Sequence, residues 1–467
     1  MDGPPLHYQP NVLHRRSLLG AFGSQPLLTD LTTMIQTSPR RFEFKVVLAF
    51  LAAAAFGAGC SSNVFGWQSK GAVAPSSTQS STTQASTQQA SAIDQAITRS
   101  TEFLVSQQAD DGAWHSKHYG AMKQGAANTA LVLYALSHLP ADQMQEQAEV
   151  IKSATDFLLP SIKKLGCVAN PDGSLDYPVY STALILSASK RIDLGLTPAQ
   201  IQSMIKYLLD SQCVKSRGFT QQNPHHGGWD ILGPGPTQGK STGANVSVTF
   251  YVVEALTLFQ SEQTAEQGTA DKLSANRLSK ETEKGIESAL AAANQWCRRI
   301  QSTDGGFYFT SKRKSGLNKA GWTDKEQTTP NPYGSATCDG AGILLQLGAT
   351  TSEDSYKKTI KWLVDHPGVD TVPGFKTNVD SIGWPSSLRF YYAASLSRLL
   401  SEFEKEQTAK TRAAIEKQLT DTQLKSGAWK NESSHMREND ELIATPFGLI
   451  ALLNCKSISM ADAEPDH

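Results

Sequence analysis

The sequence has little of what marks nucleic-acid-binding or disulfide-stabilised proteins. Its 43 Lys and Arg residues nearly match its 44 Asp and Glu residues, which leaves a formal net charge of −1. No basic stripe is interleaved with aromatic residues, so we expect no nucleic-acid partner. The six cysteines include no Cys-x-x-Cys pair, which disfavours a structural zinc site or a disulfide framework. We therefore predict no metal ion, no cofactor and mostly buried, apolar cysteines.

The amino-terminal apolar run is too short for a comfortable membrane span. Residues 45–59 read KVVLAFLAAAAFGAG, follow two arginines and precede Cys60. A basic flank, a short apolar run and small residues before a cysteine are typical of a secretory signal. The segment resembles a bacterial lipoprotein signal, in which Cys60 becomes the lipidated first residue. Gly57 departs from that pattern, which usually has a large aliphatic residue there, so a plain cleaved signal is the alternative.

Composition divides the chain into five segments. A start of translation at Met34 would make residues 1–33 upstream sequence and residues 34–59 the signal peptide. Residues 60–92 are rich in Ser, Thr, Gln and Ala, which predicts a flexible tether. Residues 93–455 form the predicted folded domain and residues 456–467 a tail. This order predicts an exported, membrane-attached protein of a bacterial cell envelope, facing the periplasm, with the folded domain a monomer.

Two distant stretches of the chain share the pattern Gln-x-x-x-Gly-x-Trp. They are Gln108, Gly112 and Trp114 in the first stretch and Gln423, Gly427 and Trp429 in the second. Each ends an amphipathic helical run and is followed, after a polar loop, by a strongly apolar helical run. An amphipathic run predicts a half-exposed outer helix, and a run that is apolar all round predicts an enclosed inner helix. The sequence therefore predicts a repeated helical hairpin.

The same order of outer run, turn and inner run occurs six times. The predicted inner helices cover residues 126–136, 181–186, 246–256, 336–347, 388–399 and 442–453. The fourth copy carries a worn motif, with Gln301, Gly305 and Phe307 in the three positions. Six hairpins predict an all-α fold of about twelve helices, closed as a ring or open as a solenoid.

The repeat motif resembles the QW motif of the squalene cyclase and protein-prenyltransferase superfamily. The resemblance covers residues 93–455 and implies an (α/α)6 toroid, with outer helices around a ring of inner ones. In that fold the motif residues are structural: glutamine caps a neighbouring helix end and tryptophan is buried between repeats. The chain also looks like exported toroid proteins of unassigned activity found in some bacteria, a likeness that implies a fold and no reaction.

The cyclases of this superfamily protonate a polyene with an Asp-x-Asp-Asp motif on an inner helix, and the chain has no such motif. The nearest substitute is Glu438, Asp440 and Glu441, at the start of the sixth inner helix. As a catalytic set, Asp440 would donate the proton and one of the glutamates would support it. The alternative is that all three stabilise the amino end of the helix.

Aromatic residues on or near the inner helices suit an isoprenoid or another apolar ligand. The alternative for each is packing between helices. The candidate cavity residues are Tyr180, Trp229, Tyr251, Trp322, Tyr333, Arg389, Tyr391 and Tyr392.

Three functions are compatible with these features. The first is a binding protein that holds a lipid or a polymer near the envelope. The second is a non-standard isoprenoid cyclase or transferase. The third is a polysaccharide lyase or hydrolase, which would need the acids Asp230, Asp324 and Asp339, predicted to lie in loops.

Overall fold

The computed structural model describes residues 78–234, 243–265, 278–311, 318–375 and 383–461. The predicted start at Met34, the signal peptide, Cys60 and most of the tether lie outside these residues. The described ranges contain thirteen α-helices and no β-strand. In chain order the helices are α1 (Thr78–Ser106), α2 (Ala126–Leu136), α3 (Ala141–Glu146), α4 (Ala148–Leu165), α5 (Pro178–Ala188), α6 (Pro198–Asp210), α7 (Val246–Ala265), α8 (Lys280–Arg299), α9 (Gly334–Gln346), α10 (Asp354–Asp365), α11 (Arg389–Ser397), α12 (Lys405–Thr422) and α13 (Glu441–Ala461).

Twelve of these helices pair into six hairpins. The outer helices are α1, α4, α6, α8, α10 and α12, and the inner helices are α2, α5, α7, α9, α11 and α13. Each inner helix contacts the next one along the chain, and α13 returns to contact α2. Helices α12 and α13 also contact α1. The inner helices therefore form a closed ring, which confirms the predicted all-α toroid of six hairpins.

Burial follows the apolar pattern of the two helix types. Every residue of α2 is buried, as expected for a helix enclosed on all sides. The outer helix α4 buries one face, which includes Ile151, Ala154, Leu158 and Ile162. Burying an aliphatic side chain of this size contributes about 1.5–3 kcal/mol. The ring is thus held mainly by apolar contacts around the inner helices.

The repeat motif fastens each hairpin to the next outer helix. Gln108 donates from Nε2 to the carbonyl oxygen of Val150, in the first turn of α4, at 2.9 Å. A Cβ on Gly112 would lie 2.3 Å from the carbonyl oxygen of Ser153, also in α4. In the fourth repeat Gln301 reaches the carbonyl oxygen of Ser355 at 2.8 Å. The glutamine therefore bonds each of these turns to the neighbouring outer helix, and the glycine allows the turn to pack closely against it.

The third repeat carries the same contacts although an insertion splits its motif. Gln212 and Gly227 are 15 positions apart, yet the Gln212 side chain still bonds the Gly227 carbonyl oxygen. Its Nε2 also donates to the carbonyl oxygen of Ala289 in α8. Trp229 is fully buried and donates from Nε1 to the carbonyl oxygen of Leu208 at 2.7 Å. Trp229, predicted as a cavity residue, instead occupies the position of a repeat tryptophan, because Trp114 makes the same bond to Leu104.

A threonine near the start of five inner helices accepts a backbone hydrogen bond from the turn of the same hairpin. Trp114, Trp229 and Trp429 donate their backbone N–H groups to Thr129, Thr249 and Thr445 at 3.0–3.1 Å. In the second repeat the same bond runs from Val168 to Thr182, and in the fourth it runs from Phe307 to Thr337. This threonine is a second repeat signal, and it is visible in the sequence at matching positions of five inner helices.

The ends of the fold differ from the predicted boundaries. Helix α1 begins at Thr78, inside the predicted tether, and α13 continues to Ala461, inside the predicted tail. The short helix α3 has no counterpart among the twelve predicted helices and links the first two hairpins.

One described segment, Glu441–Ile458, is long and apolar enough to cross a membrane by composition alone. It forms most of the inner helix α13 and is 72% buried. Its apolar character is therefore explained by its place in the ring.

Candidate functional site

Asp339 lies at the interior of the ring rather than in a loop. Its side chain projects from the middle of α9 and is only 1% exposed. Oδ2 accepts hydrogen bonds from Ser247 Oγ at 2.6 Å and from the Tyr391 hydroxyl at 2.8 Å. Oδ1 accepts one from Ser395 Oγ at 3.2 Å. We call these four residues the axial carboxyl site, since they join three consecutive inner helices, α7, α9 and α11.

The environment of Asp339 raises the pKa of its carboxyl group toward neutral pH. Burial raises the pKa of this carboxyl to about 6, while the hydroxyls of Ser247 and Tyr391 and the charge of Arg398 act to lower it. A buried carboxyl that titrates near neutral pH can hold or release a proton under ordinary conditions. Asp339 is therefore a candidate for acid–base chemistry at the ring interior.

Aromatic side chains surround the axial carboxyl site. Tyr391 lies edge-on to Phe447 with ring centroids 5.1 Å apart, and Tyr180 lies edge-on to Tyr251 at 4.9 Å. Tyr180 and Ser247 keep accessible surface although both stand on inner helices. Tyr391, which donates to the carboxyl group of Asp339, also packs against another aromatic ring, and the faces of such rings can stabilise a cation.

A second buried cluster lies further along the inner helices. The hydroxyl of Tyr134 donates to Glu254 at 2.9 Å, and Arg191 pairs with the same carboxylate at 3.0 Å. Arg398 donates to the Tyr251 hydroxyl at 3.0 Å. We call Tyr134, Arg191, Tyr251, Glu254 and Arg398 the ion cluster. It links α2 and α7 directly and reaches residues that follow α5 and α11.

The neighbouring arginines and burial determine the ionisation states of Glu254 and His138. Burial acts to raise the pKa of Glu254, but Arg191 and Arg398 outweigh it, so this pKa lies below its usual value. Burial also lowers the pKa of the adjacent His138 to about 3, with a smaller contribution from Arg191. At neutral pH the glutamate is therefore ionised and the histidine is neutral.

The first of the predicted catalytic acids, Glu438, caps a helix. Its carboxylate accepts the backbone N–H groups of Phe390 at 3.1 Å and Tyr391 at 2.8 Å, in the first turn of α11. Asn431 donates its side-chain amide to the same group at 2.5 Å. Burial raises the pKa of Glu438 to about 8, and the N–H donors act in the opposite direction. Glu438 therefore caps α11, the fifth inner helix, rather than the sixth inner helix whose amino end it was predicted to stabilise.

The other two predicted catalytic acids also have structural partners. Asp440 accepts the backbone N–H of Leu442 at 3.0 Å and the hydroxyl of Ser116 at 2.5 Å. It thus caps α13 and joins the sixth repeat to the first. Glu441 is partly exposed and lies 3.6 Å from Lys430. The helix-capping alternative therefore accounts for the contacts of this acidic group.

The two remaining acids of the polysaccharide hypothesis shape their own loops. Buried Asp230 accepts the backbone N–H of Gly233 at 2.8 Å and lies 3.4 Å from Arg217. Half-buried Asp324 accepts the backbone N–H groups of Thr328 and Thr329, and the bond from Thr328 lowers its pKa most. Only Asp339 of the three predicted loop acids faces other inner helices.

The remaining candidate cavity residues are dispersed. Tyr180, Tyr251 and Tyr391 lie together at the ring interior, as described above. Tyr333 precedes α9 and packs on Phe375, and Tyr392 lines a small outer cavity of about 150 Å³. Arg389 lies over the ring of Phe390, and Trp322 pairs with Pro330 in the loop before α9.

Sequence reasoning missed Ser247, Glu254 and Arg398. Glu254 and Arg398 had a signal, because a charged residue within or directly after an apolar inner helix must find a buried partner. Ser247 had none, because a serine is common in any helix.

Two further features lie outside this site. Within the described ranges, no group of three or more His, Cys, Asp or Glu side chains is placed to hold a metal ion. A groove of about 540 Å³ runs along the outside of the ring between α3, α4 and the segment after α5. Arg191 is the one member of the ion cluster that lines it.

Solved structures share the fold at low sequence identity. A variant of the type II terpene cyclase MstE from Scytonema, in complex with the product merosterolic acid A, matches with a TM-score of 0.51 at 13% identity, over 80% of this chain and 99% of that one. Ligand-free MstE matches with a TM-score of 0.50 at 14% identity, over 79% and 99% of the two chains. An α-1,6-mannanase from Salegentibacter sp. HEL1_6 reaches 0.46 at 9% identity, over 79% and 99%.

No family model matches the chain, and no curated protein matches its sequence significantly. The fold is a terpenoid-cyclase-like α/α toroid.

Proposed function

We propose that the ring binds an isoprenoid-like apolar molecule at its interior and that Asp339 transfers a proton to it. The observation that carries this proposal is the position of Asp339, a buried carboxyl on an inner helix with aromatic side chains beside it. The likeness of the fold to a type II terpene cyclase supports the choice of substrate class. A single acid, Asp339, would then take the place of the Asp-x-Asp-Asp motif that the chain lacks.

The chemistry requires one proton and no redox partner. Protonated Asp339 would give its proton to one carbon of a carbon–carbon double bond, and the π electrons of that bond form the new C–H bond. The second carbon becomes a cation, which a neighbouring double bond attacks to close a ring. Tyr180, Tyr391 and Phe447 offer ring faces to that cation. Loss of a proton to the Asp339 carboxylate ends the reaction and restores the acid.

The test is turnover of a defined polyene. The protein would be incubated with geranylgeraniol and the products separated by chromatography with mass detection. A product of unchanged mass and altered retention time is expected with wild type and not with Asp339→Asn. Asp324→Asn, at a loop acid away from the inner helices, is the matched control and should behave as wild type. Equal product from Asp339→Asn, with its fold verified by circular dichroism, would overturn the role of Asp339.

A second candidate is a carrier that binds the same ligand without reaction. It is favoured by the three hydroxyl groups around Asp339, which satisfy the carboxylate as a stable ion. A carrier would retain the polyene unchanged in both wild type and Asp339→Asn. Bound but unaltered ligand in wild type would therefore select this function.

We also propose that the protein is exported and anchored at the cell envelope through a lipidated Cys60. The short apolar run and small residues before this cysteine support the proposal. Labelling of bacterial cells with an alkyne fatty acid should modify the wild-type chain and not Cys60→Ser. A labelled Cys60→Ser chain, or an unlabelled wild-type chain, would count against a lipid on this residue.

A further inference from the structure

Arg398 is a half-buried cation that has no direct ion pair within the described residues. It donates from one terminal nitrogen to the neutral hydroxyl of Tyr251, and its guanidinium lies 4.8 Å from the ring centroid of Phe250. Its Nε atom is buried and has no hydrogen-bond partner. Glu254, whose pKa Arg398 helps to lower, forms its salt bridge with Arg191 instead. A buried donor without a partner is costly, and on a cationic group it favours an anionic acceptor.

The nearby acids are occupied by other groups. Glu254 is bound by Tyr134 and Arg191. Asp339 is bound by the hydroxyls of the axial carboxyl site. Neither acid reaches Arg398 directly, so an anion from outside the chain would not displace an existing pair.

The charges of Arg191, Arg398, Glu254 and Asp339 indicate how many negative charges a bound ligand group would carry. When Asp339 carries its proton, as the proposed function requires, Arg191 and Arg398 face only the charge of Glu254. One positive charge is then in excess within a buried region, which a single negative charge would neutralise. A group with two negative charges would create the opposite excess.

The position of Arg398 indicates where that charge would sit on a ligand. Its aromatic partners, Phe250 and Tyr251, belong to the same inner helix as Ser247 of the axial carboxyl site. Its side chain retains accessible surface although it stands at the end of an inner helix. A ligand that passes the aromatic rings near Asp339 can therefore bring one end to this guanidinium.

We propose that the ring takes an apolar molecule that ends in a single carboxylate, and that Arg398 binds this carboxylate. The ligand class is an isoprenoid or other long-chain acid. The apolar part lies against Tyr180, Tyr391 and Phe447, and its carboxylate receives hydrogen bonds from the guanidinium, including the one that Nε does not make within the protein. The inference rests on the proposed function in placing the ligand at the same site and in taking Asp339 as protonated.

The test compares ligands that differ only in their charged end. Binding of geranylgeranoic acid, its methyl ester and geranylgeraniol to wild type would be measured by titration calorimetry. A charge-assisted bond predicts an advantage of about tenfold or more for the acid over both neutral ligands. Arg398→Met should remove this advantage. Arg298→Met, on the outside of α8, is the control and should keep the wild-type preference.

The outcomes separate this inference from the proposed function. Equal affinity of wild type for the acid and the alcohol would overturn the carboxylate site, whether or not the alcohol is cyclised. An acid preference that survives in Arg398→Met would overturn the role of Arg398. A preference lost in Arg398→Met supports the inference even if no ligand is converted. The ligand series on wild type decides the question if Arg398→Met does not fold.

Discussion

Gln423 closes the ring by donating from its side-chain Nε2 to the carbonyl oxygen of Ala96, at 2.8 Å. The two residues lie 327 positions apart, in the last and the first hairpin. The same contact joins Gln108 to the next outer helix within the chain. The bond at the seam is therefore the repeat contact itself, made between the two ends of the folded domain.

Gly427→Ala should destabilise the fold at the seam. A Cβ there would lie 2.2 Å from the carbonyl oxygen of Arg99, and Gly427 has φ of +90°. We expect a loss of roughly 3 kcal/mol in the free energy of unfolding, measured by denaturant titration. Gly173→Ala is the matched control, with φ of +84° and no atom within 4 Å, and should cost only about 1 kcal/mol. Equal losses in the two variants would show that the close approach at Gly427 does not matter.

Trp229→Phe should behave as a structural variant. It removes the Nε1–H donor to the Leu208 carbonyl oxygen, which leaves a buried acceptor without its partner. We expect a loss of about 1–2 kcal/mol in unfolding free energy, close to that of Trp429→Phe, which removes the matching bond to Leu419. If Trp229→Phe instead weakened ligand binding at unchanged stability, its original assignment to the cavity would stand.

Asp339→Asn should change how stability depends on pH. Burial raises the pKa of Asp339 to about 6 from its usual value of 3.8, so the folded state keeps a proton that the unfolded state has released. The stability contributed by the protonated acid is full below about pH 4 and is lost as pH rises to about 6. The loss should be on the order of 2–3 kcal/mol. Asparagine does not titrate, so thermal unfolding of the variant should lack this decline, and an unchanged pH profile would contradict the shifted pKa.

Asp440→Ala separates capping from catalysis. The variant loses the bonds to Leu442 and Ser116, so we expect a fall of about 1–2 kcal/mol in unfolding free energy. Product formed per folded molecule should equal that of wild type, since the contacts of Asp440 are structural. A stable Asp440→Ala protein without turnover would instead restore Asp440 as the proton donor.

The repeats could be predicted from the sequence because their signals are local. Residues 126–136 are apolar at nearly every position, which predicts an enclosed helix, and Gln108, Gly112 and Trp114 stand at a fixed spacing in one short segment. The motif of the third repeat escaped this reasoning because an insertion separates Gln212 from Gly227, although the two residues still meet. A motif defined by residue spacing cannot be recognised where a loop of variable length separates residues that still contact each other in the fold.

The chain by itself determined the number of hairpins and which helix of each pair is enclosed, since helical periodicity and apolar character are properties of short segments. Only the tertiary structure showed what surrounds each acid. Glu438, Asp440 and Asp339 are all carboxylates beside apolar helices in the sequence. In the ring, Glu438 and Asp440 accept backbone N–H groups at helix starts, and Asp440 also accepts the hydroxyl of Ser116. Asp339 accepts side-chain hydroxyls from two neighbouring inner helices. A pKa depends on such neighbours, and neighbours distant in sequence are fixed only when the ring closes.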